Sequence, residues 1–456
     1  MAGMGNPALQ KPAIHKKRRL EMKSKFTVSY FLTIAIILCA QVAAWAQTDE
    51  TTKQAFSGED VVLRWNRVLK ETVSTPGQHP ATIMPVRSYA MMHAAMFDAA
   101  NSIDGGYTPY LIEVPGTKNA SLEAAAAQAA HDVLLSLYPT RADVFASELT
   151  ASLDGIDAYR AQQGIRVGQR VAAAMLAARA NDGWGVTPPV YTLPSTPGNW
   201  QPTPPTNSAA TFTHYPAVTP FAVSSGTQFV PAPPPAMSSA EYAAAFNEVK
   251  EIGSATSSTR TADQTLAARL WANVNTPTNF LLVWNNVART VSEARGITTI
   301  EKARLFALTN ISLHDALQTA FASKFEYGLW RPVTAIRRAD EDGNANTEAD
   351  PAWSSLIGTP PYPSYAGNMA TIGTSQSTVL AMFFGRDDIG FSHTWEGAGG
   401  ATRSYQGFSA MANEQERARV WGGIHFTFDN IAGQSIGRNV GTYVFQNLMQ
   451  PRRCVQ

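Results

Sequence analysis

The sequence predicts an all-α protein, a two-lobed helical bundle of roughly ten or more helices with little or no β structure. Apolar residues recur at helical spacing in most segments, and the strict alternation that marks half-buried strands is scarce. No repeat of fixed period points to a solenoid or propeller. At 456 residues, 45% hydrophobic and 16% charged, the chain is long and apolar enough to bury a large core.

The formal net charge of +1 is set by the N-terminus. The first 46 residues hold seven Lys/Arg and one Glu; the remainder carries 29 basic and 34 acidic residues, about −5. No basic patch suits nucleic acid. Lys16-Lys17-Arg18-Arg19 and Lys23-Ser24-Lys25 precede an apolar run over 26–46 that ends Ala44-Trp45-Ala46. A basic region, an apolar region and an A-x-A end form a secretory signal with cleavage expected after Ala46, and Met22 is an alternative start. The expected destination is the periplasm or the medium, with the membrane met only through this segment; an uncleaved anchor is the alternative. Cys39 lies inside the signal, so the mature chain keeps only Cys454 and no internal disulfide.

The expected organisation is a signal peptide (1–46), an N-terminal helical lobe (47–184), a Pro-rich connection (185–238) and a C-terminal helical lobe (239–456). In the first lobe, helical spacing covers 59–70 and 86–100, where His93 reads as a core histidine. The alanine-rich stretch 120–138 is stopped by Pro139, and two more helices follow over 141–153 and 157–181. Thirteen prolines then fall between Pro188 and Pro235. Trp200, Phe212, Tyr215 and Phe221 predict that this connection packs on the body instead of running free. Helical patterns resume over 239–252, 261–273, 279–295, 299–325, 370–384 and 425–447, with a polar acidic loop at 339–350.

Near the C-terminus, Arg419-Val420-Trp421-Gly422-Gly423-Ile424-His425 brings a cation, a flexible turn and an imidazole together. A continuous helix would put Arg419 and His425 on different faces, so a break at Gly422-Gly423 is expected. Asp429, at i+4 on the expected helix, can hold the His425 Nδ1–H and leave Nε2 free as nucleophile or ligand. A capped helix with a core histidine and a surface salt bridge fits the same spacing. A divalent metal at His425 and Asp429 is a weaker reading, because two ligands rarely suffice and the neighbouring cations would repel it. Lys324 and Arg331 are seven residues apart, so a helical path aims both the same way. With Arg419 they make three fixed cations facing one imidazole, which suits a tetrahedral oxyanion.

These residues give the chain a resemblance to the vanadium-dependent haloperoxidases and their relatives, the type 2 phosphatidic acid phosphatases and bacterial acid phosphatases. Lys324 followed by Arg331-Pro332 is similar to the first motif of that superfamily. Ala418-Arg419, Gly423-Ile424-His425 and Asp429 are similar to the third, with alanine in place of its serine. The wording of 330–337 and 422–426, and upstream Trp65-Asn66-Arg67 and Met96-Phe97-Asp98-Ala99, is closest in kind to the bacterial haloperoxidase-like branch. The resemblance implies that vanadate, or phosphate in its place, binds Lys324, Arg331, Arg419, Gly423 and His425. His425 would be the axial ligand of vanadium in a peroxidase or the phosphoryl acceptor in a phosphatase, and Asp429 would orient it. Hydrogen peroxide and halide, or a phosphate ester, are the implied substrates; no oligomeric state is implied.

The middle motif departs from the family's Pro-Ser-Gly-His. One register puts Gly367, Asn368 and Met369 at the Ser, Gly and His positions; another, from Pro363-Ser364, puts Tyr365-Ala366-Gly367-Asn368 there. Neither supplies the acid/base histidine, a loss of about 10²–10⁴ in rate. Met369 would also be open to oxidation by hypohalous acid. His393 could substitute, or be a surface-loop histidine. Three functions compete: halide oxidation, phosphoester hydrolysis with His425 as nucleophile, and oxyanion binding without catalysis.

Overall fold

Side-chain caps fix where six of the helices begin. In the computed structural model, residues 58–78, 83, 85–273, 282–396 and 398–452 are described. The segment expected to be a signal, with its expected cleavage point, Met22, Cys39 and Cys454, lies outside them.

Thirteen α-helices run through the described residues: α1 (Val61–Ser74), α2 (Pro85–Asp104), α3 (Leu122–Leu137), α4 (Ala142–Leu153), α5 (Ala158–Ala178), α6 (Ala240–Ile252), α7 (Ala262–Leu270), α8 (Val283–Ala294), α9 (Thr299–Tyr327), α10 (Pro332–Arg337), α11 (Asn368–Phe384), α12 (Phe408–Trp421) and α13 (Thr427–Asn447). Asp60, Ser121, Asp157 and Ser239 accept first-turn N–H groups of α1, α3, α5 and α6. Thr261/Gln264 and Thr298/Glu301 form capping boxes on α7 and α9. Asp60 to Gln456 forms one compact unit. No described helix is long and apolar enough to cross a membrane.

The 29-residue α9 is the axis of this unit, buried on all sides from Ala303 to Lys324. It packs against α2, α11 and α13. Helices α11 and α13 meet closely because Gly433, Gly437 and Gly441 stand against α11 and its cap, where a Cβ would run into the carbonyls of Gly367, Thr371 and Ser375. The Pro-rich connection packs as expected, with Trp200 2%, Tyr215 1% and Phe221 7% exposed. The Asp315 carboxylate of α9 holds it, accepting the N–H groups of Phe221, Ala222 and Val223 at 2.9, 2.6 and 3.0 Å.

Several expectations are corrected. An antiparallel hairpin, β1 (Phe391–Trp395) and β2 (Ala401–Tyr405), was not foreseen, nor were α10 and α12. His393 is therefore on a strand, 8% exposed, and not in a surface loop. Helix α9 ends at Gly328, which takes a left-handed conformation, so Lys324 and Arg331 do not share a helical path; Arg331 caps α10. Helix α13 starts at Thr427, leaving His425 just before it.

A helix pair also recurs. Trp65-Asn66 and Val68 of α1 correspond to Trp284-Asn285 and Val287 of α8, 219 residues on; His93 and Asp98-Ala99 of α2 correspond to Asn310 and Asp315-Ala316 of α9, 217 residues on. The hydrogen bonds correspond as well. Asn66 Nδ2 lies 2.9 Å from His93 Nε2, and Asn285 Nδ2 donates to Asn310 Oδ1 at 3.0 Å. Asp98 accepts the N–H groups of Tyr110, Leu111 and Ile112 at 2.6, 2.8 and 3.0 Å, as Asp315 does for its own tripeptide. Asn66 Nδ2 joins the two pairs through Asn285 Oδ1 at 2.9 Å. Two copies with few identical residues leave no fixed period to detect.

Candidate active site

The expected break between Arg419 and His425 is present. Helix α12 stops at Trp421, and Gly423 takes φ +79°, where its close approach to Gly253 leaves no room for a Cβ. His425 thereby lies 3% exposed at the start of α13. Its Nδ1 is 2.9 Å from Asp429 Oδ2, which also accepts the Phe426 N–H at 3.0 Å and the Ser364 hydroxyl at 2.6 Å. The pair therefore meets through a helix-capping turn and not across one helical face. Burial, reinforced by Arg331, Lys324 and Arg419, pushes the His425 pKa well below 6.5, so the ring is neutral. Asp429 takes the Nδ1–H, and Nε2 keeps its lone pair, 3.2 Å from Arg331 Nη1. Burial raises Asp429 to about 6 against the opposing pull of Ser364 and Lys324, leaving it ionised at neutral pH.

Arg331 is fully buried. Its Nε donates to Tyr362 O at 2.8 Å and Nη1 to Ile424 O at 2.9 Å, while Nη2 has no partner among the described residues. Arg419, 6% exposed, donates from Nη1 to Trp271 O at 2.9 Å, and its Nε is equally unpaired. Burial lowers each guanidinium to about 10, so both stay cationic. Buried, unpaired guanidinium N–H groups are costly, and an anion is what would satisfy them.

Lys324 departs from the role expected of it. Its Nζ donates to the carbonyls of Pro363, Ser364 and Ala366 at 3.0, 2.7 and 2.7 Å, which takes up all three ammonium hydrogens. Burial, then Arg331, push its pKa down, while Asp429 opposes them. Lys324 therefore holds the middle-motif loop and contributes its field to the site. The Gly423 amide closes the last turn of α12 on Val420 O at 2.9 Å, and the Gly367 amide donates to Asp429 O at 2.8 Å, so neither is free for a ligand. Asn368 opens α11, whose cap Gly367 provides no side-chain acceptor; the Asn368 Oδ1 is buried with no hydrogen-bond partner among the described residues.

A cavity of about 470 Å³ is lined by Arg419, His425, Asn368, Met369 and Tyr362, with apolar walls that include Leu317 and Ile372. Met369 is 3% exposed, and its thioether lies 3.8 Å from Gln415 Nε2. It lines the cavity beside His425, where it offers no proton. His393 does not substitute, since it lines a different cavity. Two residues acquire roles that motif spacing did not disclose. Ser364 braces Asp429, and Tyr362 brings a phenol to the cavity, its ring under the Arg331 guanidinium at 5.1 Å. Only the tyrosine and serine within Pro361-Tyr362-Pro363-Ser364 hinted at them.

The family model of the VCPO second helical-bundle domain matches residues 304–453, the stretch holding Lys324, Arg331, Arg419, His425 and Asp429. The vanadium chloroperoxidase of Curvularia inaequalis is 24% identical over a match that covers 34% of this chain and 30% of that protein's length. Among solved structures, the first bacterial vanadium-dependent iodoperoxidase aligns with a TM-score of 0.73 at 23% identity, covering 86% of this chain and 96% of its own. A holo-type bacterial vanadium-dependent chloroperoxidase aligns with a TM-score of 0.65 at 16% identity, covering 82% and 93%. Residues 304–453 thus match the second helical-bundle domain of the vanadium chloroperoxidase family, and the fold over most of the chain is that of the bacterial vanadium-dependent haloperoxidases.

Proposed function

We propose that the protein holds vanadate between Arg331, Arg419, Asn368 and His425 and oxidises halide with hydrogen peroxide. The pair of buried guanidinium groups with unpaired N–H beside a neutral imidazole carries this reading. Bound vanadate supplies a Lewis acid that activates peroxide with no change in its own oxidation state. Asp429, braced by Ser364, keeps the His425 tautomer whose Nε2 is a lone-pair donor. Arg331 and Arg419 neutralise the anion's charge, and Lys324 adds to the field from behind the loop. Oxidising a halide by peroxide to hypohalous acid and water takes up one proton, which solvent or the Tyr362 phenol supplies in place of the missing histidine. The apolar walls of the cavity leave room for an organic acceptor.

Phosphoester hydrolysis through His425 would need an acid for the leaving group, and Met369 is not one. Met369 also favours a second reading, oxyanion binding with little turnover. The basic and apolar segment ending at Ala46 supports export to the periplasm or medium, which the mass of the mature chain would check. Dye halogenation by bromide or iodide with peroxide, titrated with orthovanadate, tests the function. Saturable, vanadate-dependent turnover that His425→Ala loses and Met369→His raises is expected. Vanadate binding with no turnover for either halide would leave only the binding reading.

A further inference from the structure

Gln415 of α12 is fully buried, and its side-chain amide meets two partners of unequal strength. Its Oε1 accepts the Trp284 Nε1–H at 2.8 Å and stands 2.7 Å from where a Cβ on Gly373 would lie. The Trp284 bond fixes which way the amide points. Its Nε2 then has one acceptor among the described residues, the Met369 thioether at 3.8 Å. A thioether sulfur accepts only weakly, so a strong buried donor is left under-matched. Leucine at 369 would fill a similar volume and leave that donor with no acceptor. Core filling alone therefore does not account for the pair.

Met369 also lines the cavity over His425, and no other methionine does. An oxidant formed in that cavity meets this thioether before any other. Exposure alone gives a different order, because Met382 on the same helix and Met237 are half-buried while Met369 is buried. An oxidant acting from the medium would reach those two first.

We infer that hypohalous acid formed in the cavity oxidises Met369 to its sulfoxide, and that Gln415 then holds the sulfoxide oxygen through Nε2. This modification site rests on the halide-oxidation reading. The Sδ lone pair attacks the halogen, the O–halogen bond breaks and hydroxide leaves. Water then adds to sulfur, and halide departs. Sulfur loses two electrons and the halogen gains two; the net change consumes one hypohalous acid and releases one halide and one proton. The new oxygen extends one bond length from a sulfur 3.8 Å from the amide, which brings it within reach of an ordinary N–H···O bond. The unbranched methionine chain has the torsional freedom to turn it there. Sulfoxide is a reversible product, reset by methionine sulfoxide reductases, so the oxidant is diverted onto a renewable group and away from His425 and Tyr362 in the same cavity.

The unaltered protein is supplied with bromide, peroxide and orthovanadate, and its peptides are mapped by mass spectrometry beside a vanadate-free sample and His425→Ala. Dye halogenation, followed in parallel, reports the underlying reading separately. One added oxygen on Met369 is expected, about tenfold more frequent than on Met382 or Met237 and absent from both controls. Dye halogenation with Met369 unaltered, or with bromine on Tyr362 in its place, overturns the inference and leaves the function standing. Equal oxidation of Met369 without vanadate also overturns it, and no dye halogenation overturns inference and function together. Thermal unfolding tests the part played by Gln415, each protein being compared with its own unoxidised form. The sulfoxide should lower the Tm of the unaltered protein by about 1 °C or less and that of Gln415→Leu by about 3 °C or more. Equal losses would contradict the role of Gln415.

Discussion

Helix pairs α1–α2 and α8–α9 share a frame and differ in what they carry. Each has the Trp-Asn step on its first helix and, on its second, an aspartate that fastens three successive backbone N–H groups of a neighbouring loop. Only α9 continues to Lys324 and, through Gly328, to Arg331. After Asp98, α2 leads instead to Asn101, whose amide fastens Tyr107. The shared residues are therefore determinants of fold, and the chemistry lies in the residues C-terminal to them in the second copy. Similarity at Trp65-Asn66 or Phe97-Asp98 is evidence for the architecture alone.

Replacing the two aspartates should have the largest effect and tests that division. Asp98→Ala and Asp315→Ala each leave three backbone donors without an acceptor, an expected loss of about 4 kcal/mol in urea unfolding. In protein that remains folded, Asp98→Ala should leave oxyanion affinity unchanged. Lost affinity in that variant would break the separation of frame from site.

Next in size is Arg419→Met, which sharpens the contrast by making the site more like ordinary core. Three buried cations, Lys324, Arg331 and Arg419, face one carboxylate, Asp429. Removing one should raise the stability of the ligand-free protein by about 1 kcal/mol while weakening oxyanion binding about 100-fold. Thermal unfolding with and without vanadate separates the two effects; a variant less stable in both conditions would argue that Arg419 is structural.

The smallest change converts one copy toward the other. Burial lowers His93 from 6.5 to about 3, so it is neutral in the fold and takes up a proton on unfolding. Its stability contribution is therefore complete above pH 6.5 and falls by about 1.4 kcal/mol for each pH unit below it. The counterpart, Asn310, does not titrate. His93→Asn should change stability near neutral pH by less than about 1 kcal/mol and flatten its decline at about pH 5. An unchanged acid slope would place the titrating group elsewhere.

Several helix starts were legible in the sequence: the predicted starts at 157, 239, 261 and 299 fall within one residue of Ala158, Ala240, Ala262 and Thr299, and the caps Asp157, Ser239, Thr261 and Thr298 are why. Helix α12 was not, because Phe408–Trp421 mixes charges into its buried face. The hairpin was missed because five-residue strands give only two or three alternations. At the site, spacing identified the cations and the His425–Asp429 pair but not what each hydrogen bonds. Lys324 shows why: its partners are carbonyls of Pro363, Ser364 and Ala366, whose directions depend on the shape of a folded loop. A carbonyl carries no mark in the sequence.

The same limit applies to a second histidine–aspartate pair. His314 Nδ1 lies 2.9 Å from Asp315 Oδ1, matching the 2.9 Å between His425 and Asp429, yet its Nε2 has no hydrogen-bond partner among the described residues and the ring is packed against Tyr215 and Phe221. Orthovanadate titration followed by ⁵¹V NMR, on the unaltered protein and on His425→Ala and His314→Gln, tests most directly whether Arg331, Arg419 and His425 form an oxyanion site. One saturable site, lost in His425→Ala and kept in folded His314→Gln, is the predicted result. No binding by the unaltered protein, or equal binding by His425→Ala, would contradict it.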